Sequence, residues 1–61
     1  MKTKDGVEYE DLGPTRYYGH RYKVTHIPDG MTRQIAAESI DGIAGIFGCE
    51  WDGDVLTIYT D

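Results

Sequence analysis

Cysteine is the first shortage in this chain of 61 residues, which has Cys49 alone. One thiol cannot close an internal disulfide, so the staple that holds many small secreted domains is excluded. No apolar stretch approaches the roughly 20 residues that span a bilayer, and Met1-Lys2-Thr3-Lys4-Asp5-Gly6 leads into no apolar run of the signal-peptide kind. A cytoplasmic, reducing location without membrane attachment is the expectation. Serine occurs once, at Ser39. Nucleophilic catalysis needs a thiol or hydroxyl beside a base that a third group holds in place. Ser39 falls in the middle of a helical pattern, and an inward-facing Cys49 away from positive charge is inert. No enzymatic activity and no catalytic residue is expected.

Metal and phosphate chemistry are equally thin. His20 and His26 lie on one face of an alternating segment, but at about 3.4 Å per residue they stand roughly 20 Å apart and cannot share an ion. Cys49 with one histidine would supply two ligands, too few for a structural zinc site. Gly42, Gly45 and Gly48 have a phosphate-loop look. They follow a helix instead of opening one, so the N–H groups of a helix N-terminus point away from them. No metal and no cofactor is expected.

What the chain does have is charge, and it is segregated. Arg16-Tyr17-Tyr18-Gly19-His20-Arg21-Tyr22-Lys23 holds three of the six Lys and Arg residues and no acid. From Asp29 onward seven acids face the single cation Arg33, and the formal net charge is −5. A small protein with a basic, tyrosine-rich strand and an acidic remainder is electrically two-sided, and such a surface is suited to resting against a partner or a second copy. Its net charge argues against nonspecific binding to DNA or to anionic membrane by the whole surface.

Length bounds the fold. Residues 1–61 make one small domain, which buries only about 60% of the surface that its unfolded chain exposes. The core is thin, one sheet face against one helix stripe. Val7-Glu8-Tyr9-Glu10-Asp11-Leu12 alternates, with Val7 and Tyr9 on one face, and reads as a short edge strand ended by Gly13-Pro14. Tyr17 to Ile27 alternates again, with Tyr18, His20, Tyr22, Val24 and His26 opposite Tyr17, Gly19, Arg21, Lys23 and Thr25. Gly19 within this run marks a bulge or a close approach by another backbone.

After Pro28-Asp29-Gly30, apolar residues at 31, 35, 36, 40, 43 and 47 keep the 3.6-residue period of a helix. Three turns are expected, capped by Asp29 or Thr32 and ended by Gly42 or Gly45. Ile46 to Trp51 and Val55 to Tyr59 flank Asp52-Gly53, the pair that best suits a two-residue type I′ hairpin. That turn pairs Glu50 with Val55, Cys49 with Leu56 and Phe47 with Ile58. One face then carries Phe47, Cys49, Trp51, Leu56 and Ile58 toward the helix, and the other Ile46, Gly48, Glu50, Val55, Thr57 and Tyr59. The expected fold is α+β, in the order strand-strand-helix-hairpin (ββαββ), with one antiparallel sheet and one helix on one face. The place of the first strand in the sheet stays open. The helix-plus-hairpin half resembles the βαββ outline of heavy-metal-associated domains, with Gly30-Met31-Thr32 at their loop. Arg33 stands where the first cysteine of that loop would be, so the resemblance carries over no metal function.

Two surfaces are candidates for binding. The acidic one joins Glu50, Asp52 and Asp54 at the hairpin tip to Glu38 and Asp41 of the helix and to Glu8 and Glu10 on the outer face of the first strand, with Trp51 as an aromatic anchor. Carboxylates two residues apart on a strand sit about 6.8 Å from each other, near the phosphate spacing of a nucleic-acid strand, so such a face can enter a basic channel by imitation. The basic one comprises Arg16, Tyr17, Tyr18, Arg21, Tyr22 and Lys23, which offer π faces to unstacked bases and cations to phosphates. The favoured expectation is a non-enzymatic protein-binding module whose partner is a larger protein with a basic surface. An inhibitor from a phage or mobile element, blocking a host nucleic-acid enzyme or defence complex, is one such protein. The alternatives are a single-stranded RNA or DNA binder that uses the basic strand, and a homo-oligomer, a dimer among them, whose basic strand meets a neighbour's acidic face.

Overall fold

A computed structural model describes residues 1–60 of the chain and has an α+β fold, one four-stranded antiparallel sheet with two helical segments. The strands are β1 (Glu8–Pro14), β2 (Gly19–His26), β3 (Cys49–Asp52) and β4 (Val55–Tyr59), and the helices α1 (Arg33–Ile40) and α2 (Ala44–Phe47) lie between β2 and β3 in sequence. The sheet order is β1-β2-β4-β3, so β2 and β4 are central and the other two are edges. No helix among the described residues is long and apolar enough to cross a membrane.

Alternation decides which side of each strand is covered. Val24 on β2 and Leu56 and Ile58 on β4 are buried and pack with Ala36, Ala37 and Ala44 of the helices and with Val7. Tyr9, Tyr22, Cys49 and Trp51 extend this layer as partly buried neighbours. The three alanines are buried members of this cluster, which suits a domain with few large apolar residues. Ile35 was expected on the buried stripe and is 53% exposed, whereas Ala37 takes the inward position at 0%.

The helix is shorter than the apolar period implies. Thr32 caps α1, its Oγ1 accepting the Ile35 N–H at 3.1 Å. After eight residues Asp41 turns extended, with φ −151° and ψ 117°, while its N–H still donates to the Ala37 carbonyl at 3.0 Å. The Asp41 carboxylate then accepts the Ile43 N–H at 3.1 Å, an Asx turn that ends one helix and sets up the next. Positions 43 and 47, counted toward one long helix, thus belong to a second short one. Phe47, expected to pair with Ile58, closes α2 and is half exposed. Gly48, at φ 94°, makes the break between α2 and β3.

The hairpin forms from Cys49–Asp52 and Val55–Tyr59 with those residues on the expected faces, but Ile46 and Phe47, expected in its first strand, lie in α2, and its register is moved by two residues. Asp52 pairs with Val55, Trp51 with Leu56, Glu50 with Thr57 and Cys49 with Ile58. The turn residues are therefore Gly53 and Asp54 instead of Asp52 and Gly53. Gly53 has φ 60°, and among the described residues none other than glycine has a positive φ. A positive φ at the first central position alone is the mark of a type II′ turn, whereas type I′ needs both.

The other departures lie in β1 and the loop that follows it. Leu12 is a bulge residue between the pairs Asp11/Tyr22 and Gly13/Arg21, and β1 runs on to Pro14. A proline without an N–H is tolerated there because β1 is an edge. Tyr17 and Tyr18, read as part of the second strand, lie instead in the connection between β1 and β2, closed by the Thr15 N–H to Gly19 carbonyl bond of 2.9 Å.

Candidate binding surface

The side of the sheet away from the helices is built from alternate residues of all four strands. One row across it reads Glu10, Lys23, Val55, Asp52, and the next reads Gly13, Arg21, Thr57, Glu50. Arg21 and Lys23, on central β2, are thus bracketed by acids of the two edge strands. The charges that are segregated in sequence interleave on this face, so the two-sided picture does not hold here. Tyr59 completes the surface, its hydroxyl donating to the Glu50 carboxylate at 2.7 Å. That hydrogen bond, ahead of burial, raises the Tyr59 pKa above the ordinary tyrosine value.

The hairpin brings Glu50, Asp52 and Asp54 together at one end of the sheet, all exposed. Trp51 does not join them. Adjacent strand residues point to opposite faces, and the half-buried Trp51 packs toward the helix layer with the Arg33 guanidinium carbon 4.8 Å from its ring centroid. Its indole N–H is buried without an acceptor among the described residues. Glu38 lies on α1, where it accepts a hydrogen bond from the Gln34 amide at 3.1 Å, and Asp41 is the turn residue after α1. The expected acidic surface therefore divides into a hairpin group and a helix group, with Glu8 and Glu10 on β1 at the other edge of the sheet.

The basic, tyrosine-rich set divides as well. Arg16, Tyr17 and Tyr18 project from the loop between β1 and β2, with the two tyrosines 77% and 69% exposed. They border an open cleft of about 400 Å³ together with Pro14, Thr15, Gly19 and Thr60. Arg21 and Lys23 lie on the open face of the sheet. Tyr22 is on the opposite face, edge-on to Tyr9 at 5.5 Å and beside His20 at 4.9 Å, and burial raises its pKa.

Cys49 is partly buried and within 3.6 Å of the Gln34 side-chain carbonyl. Burial first, and the nearby Glu38 charge second, push its pKa up, the direction of an unreactive thiol. No group of three His, Cys, Asp or Glu side chains gathers among the described residues in a way that would hold a metal ion. Glu10 is on the open face of the sheet as expected, whereas composition and spacing passed over Val55, Thr57 and Tyr59 as site residues. The signal for the last three was their alternation in β4.

One close contact between a basic and an acidic side chain exists among the described residues, the His20 Nε2 to Asp11 Oδ1 hydrogen bond of 2.5 Å. The hydrogen bond to His20, then that from the Gly13 N–H, holds the Asp11 pKa below its ordinary value. A carboxylate with a depressed folded-state pKa contributes stability that is present above its unfolded value, about 3.9, and is lost as pH falls through the folded value. The wild-type chain is expected to melt at a higher temperature than Asp11→Asn near pH 6, with the gap narrowing below about pH 4. Thermal melts across that range check it, and a gap that widens in acid would contradict it.

The chain matches no family model, no curated protein and no solved structure.

Proposed function

We propose that this chain is a non-enzymatic protein-binding module that presents its acidic hairpin to a basic surface of a larger partner. The observation that carries this reading is the hairpin group itself. Glu50, Asp52 and Asp54 are exposed side by side, and none of them takes part in an ion pair among the described residues. Arg21 and Lys23 lie on the same face one strand in from the hairpin, so the acids are concentrated at the hairpin end, where charge of one sign steers a partner of opposite sign. With carboxylates about 6.8 Å apart along β3, the same group suits a basic site that otherwise holds nucleic acid. A phage or mobile-element protein that blocks a host nucleic-acid enzyme or defence complex would work in this way, by occupying the site.

The second reading, single-stranded nucleic-acid binding, has the exposed Tyr17 and Tyr18 beside Arg16 in its favour. Glu10, Glu50 and Asp52 around Arg21 and Lys23 weigh against extending that site over the sheet.

Affinity capture from nuclease-treated bacterial lysate, with the wild-type chain beside a Glu50→Gln, Asp52→Asn, Asp54→Asn variant, separates the two. A protein retained by wild type and lost with the variant, and released by added salt, is the expected result. Nucleic acid recovered from untreated lysate equally by both chains would give the site to Arg16, Tyr17 and Tyr18 instead.

A further inference from the structure

The sheet has two edges, and they differ. Along β1 the N-terminal segment is already paired. The Met1 ammonium donates to the Tyr9 carbonyl at 2.7 Å, the Tyr9 N–H donates to the Met1 carbonyl at 2.8 Å, and Lys2 bridges to Glu8. Farther along, Leu12 bulges and Pro14 has no N–H to offer, so a further strand finds no continuous ladder there.

Along β3 no such cover exists among the described residues. The Tyr59 N–H donates to the Gly48 carbonyl at 3.1 Å, which fixes the phase of the β3–β4 ladder. In an antiparallel pair, hydrogen-bonded and non-hydrogen-bonded positions alternate, so Glu50 and Asp52 bond inward to β4. The N–H and C=O groups of Cys49 and Trp51 consequently point out of the sheet, a two-residue template for another chain.

We infer that the outer edge of β3 is a strand-addition site for an extended segment of a partner protein with Lys or Arg at alternate positions and apolar residues between them. On the open face, the side chains of an added strand would lie beside Glu50 and Asp52, with Asp54 in the adjoining turn. On the other face they would lie beside Cys49 and Trp51, where apolar groups fit. Charge selects the occupant. Two β3 edges paired about a two-fold axis would set Glu50 and Asp52 of one copy against those of the other, and like charges on neighbouring strands destabilise the pairing. Backbone bonds would supply affinity and the alternate side chains specificity, as in other strand-addition complexes. This inference rests on the acidic hairpin being the binding site and specifies how that site is used.

The test uses the full chain, labelled with nitrogen-15, and three synthetic peptides. One alternates lysine with valine, a second replaces lysine by glutamate, and a third is the first with N-methyl groups on the alternate amides that would face β3. The lysine peptide is expected to shift the Cys49 and Trp51 amide resonances and slow their exchange, with affinity falling at least about tenfold for the N-methylated peptide and for the Glu50→Gln, Asp52→Asn variant. Equal binding of the methylated and unmethylated peptides, lost in the variant, would overturn strand addition and leave the acidic-site reading standing. Binding that ignores the variant, or preference for the glutamate peptide, would overturn both. A doubled mass without peptide would assign the edge to a second copy and overturn the inference, and so would an oligonucleotide that shifts the same amides where the lysine peptide does not.

Discussion

Leu56→Ala is expected to remove a large fraction of this domain's stability. Leu56 is 0% exposed and is among the largest fully buried side chains, on the central strand β4, facing the alanines of the helices. Removing a buried leucine side chain costs about 2–5 kcal/mol, the transfer of its methyl groups plus the cavity left behind. At roughly 0.05–0.15 kcal/mol per residue, a chain of 61 residues has about 3–9 kcal/mol in total. One substitution therefore removes a large fraction of the stability, and the melting temperature should fall by about 10 °C or more. The chain contains its own control, because Leu12 is the bulge residue of β1 and 42% exposed. Leu12→Ala should stay within about 0.5 kcal/mol of wild type. Chemical denaturation of the two variants reads the difference, and equal losses would mean that the helices do not cover β4 as described.

The same alternation that singles out Leu56 made the sheet faces legible and left the register illegible. A strand has period two, so sliding β3 by two residues along β4 returns every side chain to its original face. Cys49, Trp51, Leu56 and Ile58 therefore share a face whether the turn is Asp52-Gly53 or Gly53-Asp54. Hydrophobic pattern cannot separate the two registers, and only the backbone of Gly53, with φ 60°, does so. Helix length failed for a different reason. Apolar spacing continued through Ile43 and Phe47, but Asp41 has a side chain that can bond its own backbone two residues on, and it took the chain out of the helix. Ile35 and Ala37 exchanged roles: Ala37 lies within the core cluster and Ile35 does not, whereas a hydrophobicity count ranks alanine below isoleucine.

The candidate site was legible where it is local and illegible where it depends on strand order. Glu50, Asp52 and Asp54 are neighbours in sequence and neighbours in the hairpin. Trp51 sits among them in sequence and on the far side of the sheet in space, as adjacent strand residues must. The basic strand was expected to form a surface of its own. Placed between β1 and β4, it instead carries Arg21 and Lys23 into the middle of a face whose edges supply Glu10, Glu50 and Asp52. No pattern within β2 indicates which strands will flank it, so this mixing of charge appears only with the topology.

Gly19 is where sequence and structure meet most closely, and Gly19→Val is expected to destabilise the domain by about 1–3 kcal/mol. A glycine inside an alternating run signals a close approach, and a Cβ built at Gly19 would stand 3.2 Å from Thr15 Oγ1, 3.3 Å from the Ile58 carbonyl oxygen and 3.3 Å from Thr57 Cγ2. The threonine side chains can give way. The Ile58 carbonyl cannot without disturbing β4, whose pairing with both β2 and β3 passes through Ile58. Valine is a better strand former than glycine, a preference that spans about 1 kcal/mol. Steric crowding in a buried position opposes that gain, and its range is larger, so the net sign is a loss. Urea unfolding of wild type, Gly19→Ala and Gly19→Val should show midpoints that fall in that order with unchanged slope. A midpoint that rises with valine would show propensity outweighing contact, and would place the β4 backbone farther from Gly19 than 3.3 Å.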